Sequence, residues 1–177
     1  MIEYKKIFLA EDDSDDYLFL AEALNKISGS HELMRAVNGV ECLSLLKKAD
    51  VMPQIIFLDL NMPIKNGLEC LCAIKDNDAL QDIPVIIYST SHYIKDIDAA
   101  YKNGAHYYIV KPADAEMLVD VLQVVFNKLS ITLEKPAKEA FVVRIGATLE
   151  SWMGNNHLSP QYTLKRKADD NSWNIKN

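Results

Sequence analysis

Ile55-Ile56-Phe57-Leu58-Asp59-Leu60-Asn61-Met62-Pro63 decides the fold: an unbroken apolar run, one carboxylate, then a turn. A run this short, with no polar alternation, reads as a strand buried on both faces. The same pattern recurs on either side of it. Ile7-Phe8-Leu9-Ala10 ends in Glu11-Asp12-Asp13, and Tyr108-Ile109-Val110 ends in Lys111-Pro112. In an open parallel sheet the C-terminal strand ends meet at one crevice, where ligands bind. Acids gathered there repel one another unless a hard cation neutralises them, and Mg²⁺ suits oxygen ligands. A lysine beside them calls for a second, anionic guest, of which phosphate is the simplest.

The rest of the chain alternates strand and helix. Ser14-Asp15-Asp16 opens a helix, with acids in the first turn where the helix dipole favours them. Its buried stripe is Leu18, Ala21, Leu24 and Ile27, and Ser28-Gly29-Ser30 stops it. A strand over Leu33–Val37 and a short helix from Asn38-Gly39 through Leu46 follow. After Ile55–Leu58 the pattern predicts a helix over Gly67–Lys75 and a strand over Pro84–Tyr88. A helix over Tyr93–Asn103 comes next, then a strand over Tyr107–Val110 and a last helix over Ala113–Leu129. Five strands in strict alternation with five helices predict an α/β, doubly wound, five-stranded parallel sheet. The flavodoxin-like order 2-1-3-4-5 is the common solution, with its switch point between the first and third strands. The chain divides into residues 1–129 and a C-terminal extension, 130–177.

Composition agrees. The chain has 177 residues, 49% of them hydrophobic, and a net charge of −6. Residues 1–129 hold 12 Lys/Arg against 20 Asp/Glu, whereas 130–177 hold 7 against 5, so the extension differs chemically from the body. Cys42, Cys70 and Cys72 have no metal-ligand spacing and read as small packing residues in a reducing cytosol. No stretch approaches the ~20 apolar residues of a membrane span, and the expected location is cytoplasmic. His31, His92, His106 and His157 show no ligand pattern.

Residues 1 to about 129 resemble the receiver domain of bacterial two-component response regulators, the CheY-like, stand-alone type. The resemblance rests on Glu11-Asp12, Asp59 with Asn61-Met62-Pro63 and Gly67, Ser89, Tyr108 and Lys111-Pro112, in order. It implies that Asp59 takes a phosphoryl group from a histidine kinase or a histidine phosphotransfer protein. It implies Mg²⁺ held by Asp12, Asp59 and the Asn61 backbone carbonyl, with Glu11 reaching the ion. Lys111 would pair with the phosphoryl oxygens. Ser89 would move onto the phosphoryl group and Tyr108 would swing inward, with Thr90 a rival for the serine's role. Asn61 and Ser91 would flank the group, and the Lys111–Pro112 bond would be cis. Such a chain is a phosphoryl acceptor, not an enzyme beyond its own phosphorylation and dephosphorylation. Its output surface would be the fourth helix, fifth strand and fifth helix, open to a partner or to a second copy as a homodimer. The first acid is Glu where Asp is commoner, and Thr90 stands where a smaller residue is frequent.

Plainer readings compete. Asp13 is better explained as a helix cap, and Tyr108 taken alone as core. A Mg²⁺-dependent phosphatase or phosphotransferase generally needs an acid two residues after the nucleophile, where this chain has Asn61. A receiver-like interaction module without phosphorylation would be expected to have lost an acid or the lysine, and all are present. In the extension, Glu134-Lys-Pro-Ala reads as a linker and Ala140-Phe-Val-Val-Arg-Ile as a strand or one side of a short helix. Lys165-Arg166-Lys167 is too short a basic stripe for nucleic acid, and Asp169-Asp170 follows at once. Residues 136–177 are expected to pack on their own domain or on a neighbouring subunit, anchored by Phe141 and Trp152.

Overall fold

The computed structural model describes residues 4–27, 31–143, 163–166 and 173–176. The strands are β1 (Lys6–Ala10), β2 (Glu32–Ala36), β3 (Ile55–Leu58), β4 (Val85–Ser89), β5 (Tyr107–Val110) and β6 (Val142–Val143). The helices are α1 (Ser14–Lys26), α2 (Gly39–Lys48), α3 (Gly67–Lys75), α4 (Ile94–Lys102) and α5 (Ala115–Ile131). The sheet order is β2-β1-β3-β4-β5-β6, and every pairing in it is parallel. β7 (Thr163–Arg166) and β8 (Trp173–Lys176) form a separate antiparallel pair.

The doubly wound sheet with order 2-1-3-4-5 is present, but it has six strands rather than five. The sixth comes from the extension: Tyr108 pairs with Val142 and Ile109 with Val143. Five strand–helix units already complete the common topology, so nothing in the alternation asked for another strand. The last helix also runs past the expected boundary, to Ile131. It starts two residues later than expected because Asp114 caps it, accepting from the backbone N–H groups of Glu116 and Met117.

Period-two alternation in the central strands builds a core on each face. Ile7, Leu9, Phe57, Ile86, Tyr88 and Ile109 meet α1 and α5. Phe8, Ala10, Ile56, Leu58, Ile87 and Tyr108 meet α2, α3 and α4, with Phe141 in the same cluster. Cys42 and Cys70 are buried there as free thiols. Four helices begin on a side-chain cap: Asp13, Asn38, Asn66 and Asp114. At α4 the N-cap is Tyr93, which makes no such bond. No helix among the described residues is long and apolar enough to cross a membrane.

Residues 132–141 are not a free linker. Lys135 donates to the Tyr101 carbonyl at 2.9 Å and lies 3.9 Å over the Tyr101 ring. Tyr101 Oη donates to the Pro136 carbonyl at 3.2 Å, and Lys138 pairs with Asp98 at 2.7 Å. Phe141 is fully buried, edge-on to Tyr101 and Tyr108 with ring centroids 5.1 and 6.1 Å away. His106 ties the start of this strap to the sheet: its Nδ1 accepts from Val85 N and its Nε2 donates to the Leu133 carbonyl. That pairing fixes a neutral ring, and burial pushes its pKa down to about 4. Trp152, His157, Tyr162, Lys167, Asp169 and Asp170 lie outside the described residues.

Candidate functional site

Each chemical group of the site is delivered by a strand that ends one residue before it. β1 stops at Ala10, placing Glu11 and Asp12; β3 stops at Leu58, placing Asp59; β5 stops at Val110, placing Lys111. The ends are bound together by backbone hydrogen bonds. Glu11 N donates to the Ala36 carbonyl, Asp59 N to Ala10, and Lys111 N to Ser89. Carboxylate oxygens of Glu11, Asp12 and Asp59 therefore lie within 4.8 Å of one another. Glu11 and Asp59 are buried and Asp12 is exposed.

Two loops hold these acids. Arg35, on β2, donates through Nε to the Glu11 carbonyl and through Nη2 to the Asp12 carbonyl, at 3.0 and 2.8 Å. After Asp59 the chain turns back sharply. Lys65 N donates to the Pro63 carbonyl at 2.7 Å, with Ile64 at φ 68° and largely exposed. This is a γ-turn with a β-branched residue in the left-handed region, a strained conformation. The return brings Gly67 against Asp59: a Cβ there would lie 2.1 Å from the Asp59 carbonyl oxygen, so the approach requires glycine. Asn61 N donates to Asp59 Oδ2 at 2.8 Å, leaving Oδ1 aimed into the crevice without a hydrogen-bond partner.

Lys111 bridges the acids. Its Nζ lies 2.6 Å from Glu11 Oε2, 2.7 Å from Asp16 Oδ2 and 3.5 Å from Asp59 Oδ1. The last is an ion pair too long for a hydrogen bond. One ammonium thus faces three carboxylates. Burial opposes the charge on Lys111, yet the hydrogen bonds to Asp16 and Glu11 and the charge of Asp59 raise its pKa above the ordinary value. Burial pushes the Glu11 carboxyl up to about 7 against the hydrogen bond and charge of Lys111. Both shifts favour the protonated forms, which offset part of the negative charge gathered there. Carboxylate oxygens without nitrogen or sulfur, with a buried unpaired oxygen among them, fit a hard divalent cation such as Mg²⁺.

The remaining residues sit around this centre. Ser89 ends β4 fully buried, its Oγ accepting from Ser91 N at 3.4 Å, while Thr90 is exposed. The Ser91 hydroxyl is taken by Asp96, in the first turn of α4. Tyr108 already lies inward, its hydroxyl donating to the Ser91 carbonyl at 2.8 Å. Asp13 is a cap, accepting from Asp15 N and Asp16 N, and those bonds hold its carboxyl below the usual range. The expected cis Lys111–Pro112 bond is not found: no described peptide bond is cis. The trans form carries the smaller intrinsic cost before proline, and with it Lys111 still reaches Glu11 and Asp16. Arg35 and the lysine contact of Asp16 were not read from the sequence. Neither belongs to a strand-end pattern, and a first-turn acid is already explained by the helix dipole.

The Response regulator receiver domain profile matches residues 7–123. Response regulator Rcp1 of Synechocystis sp. is 32% identical over 138 residues, covering 75% of this chain and 94% of that protein. Chemotaxis protein CheY1 of Helicobacter pylori is 28% identical over 122 residues, covering 69% and 97%. Among solved structures, the phosphorylated cyanobacterial phytochrome response regulator RcpA superposes with a TM-score of 0.67. It is 34% identical, over 76% of this chain and 99% of that one. The Mn²⁺-bound form of Rcp1 gives 0.64 at 32% identity, over 75% and 99%. The chain belongs to the response regulator receiver family; receiver domains bind Mg²⁺ or Mn²⁺ at an acidic pocket, and this chain carries the acidic cluster of Glu11, Asp12 and Asp59.

Proposed function

We propose that this receiver domain accepts a phosphoryl group on Asp59 from the phosphohistidine of a histidine kinase or phosphotransfer protein, and that the modification switches a protein-binding face. The observation that carries this reading is Asp59 Oδ1: a buried nucleophile oxygen with no hydrogen-bond partner, 3.5 Å from Lys111 and inside the acid cluster. Glu11, Asp12, Asp59 and the Asn61 carbonyl are the groups that would hold Mg²⁺. When bound, the ion supplies the charge that lets a carboxylate meet a phosphoryl anion.

The chain's own residues do the rest. Phosphoryl transfer asks for positioning and charge neutralisation more than covalent help. The hydrogen bond from Asn61 N fixes Asp59 Oδ2 and leaves Oδ1 to attack in line. Lys111 is the cation beside the product's oxygens. Ser89, small and at the end of β4, can donate one hydrogen bond to the new anion. Tyr108 lies on β5 beside α4, so movement at Ser89 is felt on the α4–β5–α5 face. That face would serve a partner or a second copy, with the strap as part of it.

Incubating the chain with Mg²⁺ and a small phosphodonor, followed by intact mass measurement, tests the assignment. One HPO₃ is expected to add to the unmodified chain and none to Asp59→Asn. Addition that persisted in Asp59→Asn would move the acceptor elsewhere.

A further inference from the structure

We infer that Asp16 is a positioning residue that fixes the resting place of Lys111 and competes with an arriving phosphoryl group for its ammonium; the inference rests on the phosphoacceptor reading of Asp59. An ammonium has three N–H donors. Two are committed, to Glu11 at 2.6 Å and Asp16 at 2.7 Å, while Asp59 Oδ1 stands off at 3.5 Å. The Tyr88 ring, 5.2 Å from Nζ, walls another side. At rest, Lys111 is therefore drawn toward β1 and α1, away from the acceptor.

Of the three carboxylates around Lys111, Asp16 alone stands outside the cluster of Glu11, Asp12 and Asp59. Its placement is nevertheless firm. Asp13 caps α1 through the N–H groups of Asp15 and Asp16, which sets the first turn. An acidic side chain in that turn also suits the positive end of the helix dipole.

The three contacts differ in how they can be released. The third N–H remains for a phosphoryl oxygen, but Nζ stands 3.5 Å from Asp59 Oδ1, and moving it toward the acceptor lengthens one of its two short bonds. Glu11 is 1% exposed and water cannot replace the ammonium there; the Asp16 side chain is 35% exposed and water can. The bond to Asp16 is the one that yields. Asp16 thereby opposes capture of the phosphoryl group. Without it, Lys111 settles on Glu11 and Asp59, the carboxylates that also serve the cation. Loss of Asp16 thus has two effects of opposite sign: a stronger hold on the phosphoryl group and a weaker hold on the metal alone.

Calorimetric titrations of full-length Asp16→Asn and Asp16→Glu measure both. Mg²⁺ is titrated alone, then fluoroberyllate, a phosphoryl stand-in, at saturating Mg²⁺. Asp16→Asn is expected to bind fluoroberyllate about tenfold more tightly, the equivalent of one charge-assisted hydrogen bond no longer broken. It is expected to bind Mg²⁺ about threefold more weakly, the effect of one partly solvated charge pair. Asp16→Glu, which restores the carboxylate, should return both affinities toward those of the unmodified chain. Unchanged affinities in Asp16→Asn, or a fall in both together, would overturn the role. Failure of the unmodified chain to bind fluoroberyllate with Mg²⁺ present would instead break the phosphoacceptor reading itself.

Discussion

The acid crevice and the strap of residues 132–143 flank the same strand, β5, and are held by opposite kinds of interaction. In the crevice, groups from β1, α1, β3 and β5 meet through charge, with one lysine among three carboxylates. On the strap, Phe141 is fully buried between Tyr101 and Tyr108, and Val143 continues the apolar cover. Apolar packing is indifferent to ions and to phosphate. A charge-starved site changes its energy with every cation and anion that enters. The energy of the first region therefore depends on the ions present, and that of the second does not. Tyr108 belongs to both, three residues before Lys111 in sequence and in ring contact with Phe141.

The largest test of that division removes the shared cation. Lys111→Met leaves the carboxylates without their ammonium and is expected to cost about 4 kcal/mol of unfolding free energy without divalent metal. Added Mg²⁺ should recover part of it in a urea titration, whereas recovery by monovalent salt alone would mean that the crevice is not a specific cation site. Phe141→Ala should cost about 3 kcal/mol through lost burial and a cavity. That loss is expected to be the same with and without Mg²⁺. If Mg²⁺ altered it, the two regions would already be coupled without phosphate.

Acid should act on the two regions in opposite directions. His106, near 4 in the folded chain and near 6.5 when unfolded, takes up its proton first in the unfolded state. As pH falls from about 6.5 to 4 it destabilises the fold, by about 2 kcal/mol at pH 5. The Glu11 carboxyl, raised to about 7 from 4.5, binds a proton first in the folded state. Its contribution increases as pH falls from about 7 to 4.5, in the metal-free chain. Thermal melts across this range should show His106→Asn gaining stability relative to the unmodified chain in acid, and Glu11→Gln losing it. Parallel melting curves for both variants would remove the contrast. The smallest effect belongs to Lys138→Ala. Its ion pair with Asp98 is half solvated, and the loss should stay below about 1 kcal/mol and shrink further in salt.

The legible parts of the molecule were those in which one residue type has one reading at one place. An apolar tetrad followed by Asp59 can hardly be a surface feature, and the carboxylates and Lys111 at matching strand ends gave the sheet and its crevice together. Asp16 lay beyond that logic because a first-turn acid has a complete explanation without a partner, and nothing local marks a contact 95 residues away. Arg35 sits within a strand and works through carbonyls, for which a sequence carries no sign. Ala140-Phe-Val-Val-Arg-Ile could be a strand or one side of a short helix, and Val142-Val143 becomes a strand where it meets the open edge of β5. The strap's anchor at Phe141 followed from a large apolar residue in a polar stretch, but its neighbours Tyr101 and Tyr108 did not.

The ion pair between Lys111 and Glu11 spans 100 positions of the chain. A chain leaves the ribosome from its N-terminus, so β1, α1 and β3 are available long before that lysine is. Throughout that interval Glu11, Asp16 and Asp59 have no ammonium to share, and bringing them together is opposed by their mutual repulsion. Closure over such a separation is also slow, because the entropy of the intervening loop must be overcome before the contact gives anything back. The crevice is consequently a late event in synthesis. A truncated product ending before Lys111 holds Asp59 but not the charge balance around it.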